Sequence, residues 1–385
     1  MTATSAPEST GPSQDLHETI RPLPKVSLHD HLDGGLRPST MIELAAEIDH
    51  ELPAETPEAL ADWFVRASTS GSLEAYLAGF AHTTAVMQTA ESLRRVAREY
   101  VEDLAADGVV YGEVRWAPEQ HQRRGLSLDE AVEAVRTGLD EGVAAVEEQD
   151  GIIIVGQLIS AMRQNDRGEE IADLAVRHRG AGVVGFDIAG PEDGFPPVRF
   201  AAAFTELATQ MVPTTVHAGE ADGVESIRDA LVSGRARRLG HGVRVAEDIT
   251  VVDDPAAAEE EGAAEDEQVF QVELGPVARW IRDREVHLEV CPTSNLQTGA
   301  TAGFGPELAD HPVDMLHQLG FNVGINTDNR LVSGVTLTGE LALLASTFGY
   351  ELAELADFQI NALESSFLGL DEREALSAMI LEAWQ

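Results

Sequence analysis

Eight short β-branched or apolar runs recur along this chain, with long stretches of helical periodicity between them. No other feature constrains the fold as much. The runs are "KVSLHDH", "VVYGEVRWAP", "IIIVGQLIS", "VVGFDIAG", "VPTTVHAGE", "RRLGHGV", "VHLEVCPTSN" and "NVGINTDN". Between them, segments such as "AESLRRVAREYVEDLAADG" place apolar residues three and four apart, as an amphipathic helix does, and Gly108 offers a natural stop. Strands that alternate with helices predict an α/β fold, here a closed (β/α)8 TIM barrel. A doubly wound open sheet is the fallback, but no G-x-G-x-x-G follows an early strand. A chain of 385 residues, 43% of them hydrophobic, is sufficient for one barrel domain over residues 21–385.

Three segments fall outside the barrel count. Residues 1–20 read as a disordered N-terminal lead-in, without the basic start and apolar stretch of a signal peptide. Residues 41–90 are too long for one crossover helix and are expected to form several. Within them, Leu73, Tyr76, Leu77 and Phe80 share a helical face, which suits either ordinary core packing or an apolar gate over a site at the barrel mouth. The run "DDPAAAEEEGAAEDE" (253–267) carries eight acids and no base, and reads as a solvated acidic insertion.

The charge balance narrows the class of partner. With 26 basic against 67 acidic residues the formal charge is −41, and Lys25 is the only lysine. Such a surface repels nucleic acid and anionic membranes, so neither is an expected partner. It suits a protein kept soluble in concentrated salt, or equally the product of a genome that favours Arg over Lys. One cysteine, Cys291, excludes an intramolecular disulfide and fits the cytoplasm, and no apolar run is long enough to span a bilayer.

The stretch "SLHDHLDGG" (27–35) concentrates ligand-type side chains at the end of the first strand. With a side-chain period of two, His29, His31 and Asp33 share one face, while Asp30 and Leu32 share the other. Two neutral imidazoles can grip a divalent metal, but a solvated strand end would look the same. The other strand ends shift the balance. They carry Asp187 and Gly190, His217 and Glu220, His241, and Asp328 with Asn329. Four of the chain's 12 histidines lie at these ends, and in a barrel those ends converge on one face.

Three histidines with an aspartate suit Zn²⁺, with Fe²⁺, Co²⁺ or Ni²⁺ as possible substitutes. No H-x-E…P-C-x-x-C pattern is present, which excludes that class of zinc deaminase. The fourth strand, "VVGFDIAG", has no lysine to bridge two metals, so one metal per chain is expected.

The ordered set "HDHLDGG", "FDIAG", "HAGE", "LGHGVR", "CPTSNLQTG" and "NTDN" resembles the adenosine deaminase family of the amidohydrolase superfamily. The resemblance runs from about Leu23 to "NALESSFL", nearly the whole chain. It implies hydrolytic deamination of adenosine and 2′-deoxyadenosine with one Zn²⁺, whose ligands would be His29, His31, His217 and Asp328. Zinc would lower the pKa of water toward neutrality for attack on purine C6. By the same resemblance, His241 would orient that water and Glu220 would protonate ring N1, for which its own pKa must be raised. Gly190 would present its N–H to N3, and Asp33 would accept from the ribose 5′-hydroxyl and repel a 5′-phosphate. His31 also faces the substrate in this scheme, and Asp187 is read as structural.

At one position the chain departs from the commoner family pattern. Asn329 stands where many relatives carry a second aspartate. Its amide can donate to purine N7 without a pKa shift, so the role survives. The departure leaves adenine or a modified adenine nucleoside open as substrates, beside a catalytically dead nucleoside-binding protein. The last would be expected to lack a ligand or the acid, and none is missing.

Overall fold

A computed structural model describes residues 14–69, 73–77, 79–253 and 270–385. Every anticipated run forms a parallel strand. These are β1 (Lys25–His31), β2 (Val109–Trp116), β3 (Ile154–Met162), β4 (Val183–Ala189), β5 (Thr215–Ala218), β6 (Arg238–His241), β9 (His287–Val290) and β10 (Val323–Ile325). The remaining two, β7 (Ile249–Asp253) and β8 (Phe270–Leu274), make an antiparallel hairpin that the sequence reading did not anticipate. Its two strands bracket residues 254–269, so the acidic insertion lies almost wholly outside the described residues.

The expected closed barrel is instead two four-stranded sheets facing each other, β1-β2-β3-β4 and β5-β6-β9-β10. Each seam is held by a single bridge, Phe186 with Thr214 on one side and Asp30 with Asp328 on the other. At the second seam His31 N–H donates to the Asp328 carbonyl (2.7 Å) and Asp328 N–H to that of His29 (2.9 Å). The architecture is TIM-barrel-like with an interrupted ladder. At each seam one partner is short: β5 has four residues and β10 three.

Helices clothe the outside for the reason their sequences suggest. In Ala90–Ala106, Thr89 and Ser92 form a reciprocal capping box, while Leu93, Val96, Tyr100, Val101 and Leu104 face inward. Between β1 and that helix, four more (Pro38–Glu47, Pro57–Ser68, Leu73–Leu77 and Phe80–Val86) occupy the long crossover to β2.

The lead-in expected over 1–20 differs in part. Gln14–Ile20 is a helix, with Ile20 fully buried, and residues 1–13 lie outside the described set. The helix is tied to the barrel floor at the base of β1, where the buried Lys25 ammonium donates to the carbonyls of its last residue, Ile20 (2.9 Å), and of Arg21 (3.0 Å) and Leu23 (2.7 Å) just beyond it. The single lysine thus serves the floor, at the far end of β1 from the histidines.

Candidate metal centre and substrate cavity

The C-terminal ends of the strands meet as the two-residue period requires. His29 is fully buried, and its Nε2 has no hydrogen-bond partner and lies 3.4 Å from Asp328 Oδ1. His31 Nε2 is 3.3 Å from the same oxygen and 3.2 Å from His217 Nε2. One ligand atom from each of His29, His217, His241 and Asp328 lies within 4.8 Å of the others, a group that could hold a metal ion. His31, expected as a ligand, is not one of these four, although its Nε2 contacts both His217 and Asp328. An orphaned ring nitrogen among imidazoles and a carboxylate is the donor chemistry that suits a divalent ion such as Zn²⁺.

The outer ring nitrogens separate these histidines by role. His29 Nδ1 lies 3.0 Å from Glu289 Oε2. His217 Nδ1 lies 2.8 Å from Asp187 Oδ2, close but poorly aligned for a linear hydrogen bond. A carboxylate at Nδ1 keeps the proton there and leaves Nε2 bare for a metal. His241 is the opposite case. Asn295 Oδ1 accepts the Cys291 backbone N–H (3.3 Å), so the Asn295 amide NH₂ faces His241 Nδ1 at 2.9 Å and donates to it. The neutral His241 ring therefore carries its proton on Nε2, 3.6 Å from Glu220 Oε2. Burial first, then the neighbouring His29, holds His241 well below the usual imidazole range, which keeps the ring neutral.

Glu220 is buried, and burial together with the Asp328 and Glu192 carboxylates pushes its carboxyl well above the ordinary range. It faces a cavity of about 220 Å³ also lined by His31, Asp33, Gly190, His217, His241, Asp328 and Asn329. Leu73, Tyr76, Leu77 and Phe80 line the same cavity, so the apolar stripe belongs to the site wall. Burial raises Asp33 to about 6. Gly190 holds φ +98°, and a Cβ there would come within 2.7 Å of Gln164 Oε1, so a side chain fits neither the backbone nor the space. The Asn329 side-chain oxygen is buried without a hydrogen-bond partner.

Several residues that support this arrangement escaped the sequence reading. Glu289 joins His29 to two buried guanidiniums, accepting from Arg115 (2.6 Å) and, on its other oxygen, from Arg238 (2.7 Å). Burial alone would raise its carboxyl, but the two arginines outweigh that and hold it well below the usual range. Arg115 also reaches Asp187 at 3.1 Å, and Ser294 donates to Asp328 Oδ2 at 2.6 Å. The available signal was charge inside a largely apolar strand, one carboxylate in "HLEV" and a Glu with an Arg in "GEVRW". A buried charge of that kind needs a partner.

The match to known proteins spans nearly the whole chain. The family profile "Adenosine deaminase" matches residues 24–383. "Adenosine deaminase 1" of Streptomyces coelicolor is 48% identical over 375 residues, covering 97% of this chain and 89% of its own. Among solved structures, an adenine deaminase from Arthrobacter aurescens superposes with TM-score 0.76 at 26% identity, covering 94% of this chain and 98% of its own. An amidohydrolase from Burkholderia ambifaria with bound Zn superposes with TM-score 0.78 over 98% of this chain and 94% of its own; at 23% identity that likeness shows the fold. The chain belongs to the adenosine deaminase family.

Proposed function

We propose that this protein hydrolyses adenosine and 2′-deoxyadenosine to inosine and 2′-deoxyinosine with release of ammonia. The observation that carries the reading is a buried Glu220, its carboxyl pushed well above the ordinary range, sharing one cavity with the histidine–aspartate cluster. The family's curated members, named adenosine deaminases, support it.

His29, His31, His217 and Asp328 would hold one Zn²⁺, which lowers the pKa of water toward neutrality. The chain's own groups do the rest. Glu220, whose carboxyl burial and the neighbouring carboxylates push well above the ordinary range, gives a proton to purine N1, because attack at C6 is uphill unless that nitrogen is protonated. His241, neutral with its proton on Nε2, orients the attacking water from the side of Glu220. Gly190 offers its N–H to N3, and Asn329 offers its amide to N7. Asp33 accepts from the ribose 5′-hydroxyl and disfavours a 5′-phosphate by charge. Placement in the cytoplasm is supported by the free, buried Cys291. Among the described residues no helix is long and apolar enough to cross a membrane.

Ammonia release from adenosine, 2′-deoxyadenosine, adenine and AMP, at low and high potassium chloride, tests the reading. Turnover confined to the two nucleosides is expected. Turnover of adenine alone would contradict both the substrate and the role of Asp33.

A further inference from the structure

Between the end of β5 and the helix Val224–Val232, residues Gly219–Asp222 carry the cavity-facing Glu220 on a loop that belongs to neither sheet nor helix. Among the described residues, none of the four backbone N–H groups finds a backbone carbonyl. All four point instead at one side chain from the loop after β4. Glu192 Oε1 accepts from Gly219 N–H (2.7 Å), and Oε2 accepts from Glu220 (3.0 Å), Ala221 (2.7 Å) and Asp222 (3.0 Å). A fifth donor, the Ser226 hydroxyl, reaches Oε1 at 2.5 Å. Glu192 is itself buried, 3% exposed.

An ordinary helix cap would bind the first-turn N–H groups of Val224, Glu225 and Ser226. Glu192 bypasses those N–H groups and grips the segment before them, where Glu220 sits. Arg163 acts on the same junction from below, donating to the carbonyls of Phe195 (3.0 Å), in the loop that bears Glu192, and of His217. The loops after β4 and β5 are thereby locked to each other through side chains alone.

We propose that Glu192 is a positioning residue for the deamination: its carboxylate, tied to four consecutive backbone N–H groups, fixes the direction from which the Glu220 side chain enters the cavity. This rests on the proposed reaction and names a further determinant of it. Glu192 does not line the cavity and touches no reacting atom. Its effect falls on the proton donor, and Asp33 and Asn329, which are assigned to hold the nucleoside, lie on the loops after β1 and β10; Gly190, two residues before Glu192, is the one nucleoside contact on the same loop. The two parameters of the reaction are therefore expected to separate, with kcat falling and KM holding.

Glu192→Gln is the informative variant, because it keeps the size and puts an NH₂ where one oxygen accepted. Whichever way the amide turns, donors face a donor. With the metal-loaded protein and adenosine, kcat is expected to fall about 100-fold, the scale of an ångström-level misplacement, with KM close to wild type and the melting temperature lowered by the buried N–H groups left without an acceptor. In a Glu220→Gln background the same change should cost nothing further, because it acts through Glu220. An unchanged kcat, a loss confined to KM, or a full additive loss in the double variant would overturn the proposal. Should Glu192→Gln fail to fold, Glu192→Asp, which keeps the charge but is one methylene short, is read by the same criteria with a smaller expected loss. The wild type run alongside separates the two levels. No ammonia from adenosine overturns the reaction and the proposal together, whereas normal wild-type turnover beside an unimpaired variant overturns only the role of Glu192.

Discussion

The two half-barrels contribute differently to the same site. In the first, β1 to β4 run seven to nine residues each; in the second, β5, β6, β9 and β10 run three or four. The long half supplies His29 and His31 from β1, whose pairing with β2 shifts register between Ser27 and Asp30, with neither histidine in the left-handed region. The short half supplies His217, His241 and Asp328, and two of these stand in the left-handed region, His241 at φ 62° and Asp328 at φ 57°. A non-glycine residue there costs about 1–3 kcal/mol and persists only where its surroundings hold it. The ladder ends early where side chains must turn into the cavity, and packing with buried ion pairs takes over the work of the missing hydrogen bonds. Regular structure holds one half of the site; buried charges hold the other.

Glu289 is the joint between the halves, since it lies on β9 yet binds Arg115 of β2 as well as Arg238 and His29. Glu289→Gln should cost about 3 kcal/mol or more, because it leaves buried guanidiniums short of an anion. Denaturant midpoints would show this, and a loss under 1 kcal/mol, of the order of an exposed ion pair, would mean that the halves are joined some other way.

Glu340 tests whether the short half also titrates. It is buried against the Thr293 N–H (3.1 Å), just past β9, and burial raises its carboxyl to about 7. The folded protein therefore keeps a proton that the unfolded chain releases near the ordinary carboxyl value. The contribution of this group to stability falls as pH rises between about 4.5 and 7. Glu340→Gln should remove that fall and gain on the order of 1–3 kcal/mol at pH 8 relative to wild type, and nothing at pH 4. Parallel stability curves for the two proteins would break this part of the comparison.

The smallest effect belongs to the long half. Ile159, fully buried on β3, makes no ion pair, and Ile159→Val should cost about 1 kcal/mol with unchanged kcat. A drop in turnover would show that the regular strands also tune the chemistry.

What was legible in the sequence follows the same division. The eight strands showed themselves because β-branched runs bounded by turn residues carry their own local signal. His29 and His31 showed themselves through the period of two. The hairpin β7–β8 stayed hidden because "ITVVD" and "FQVEL" are short and flank an acid-rich run that dominates the local composition. The helix Gln14–Ile20 is too short to show a period, and the Lys25 ammonium that binds its last carbonyl gives no sign of this in the sequence. Glu192 and Asn295 could not be read from local pattern, since they act on residues 27 and 54 positions away, and the charge of Glu289 in its strand gave no sign of its partner His29, 260 positions away. The interrupted ladder was equally invisible, because strand length depends on where the neighbouring strand stops.

The most direct test of the account is the turnover of Glu220→Gln with adenosine, with zinc content measured on the same samples. The account predicts unchanged zinc, at one per chain, and ammonia release reduced by roughly 1,000-fold, as loss of a general acid entails. Turnover at the wild-type rate with zinc in place would contradict it and remove Glu220 from the chemistry.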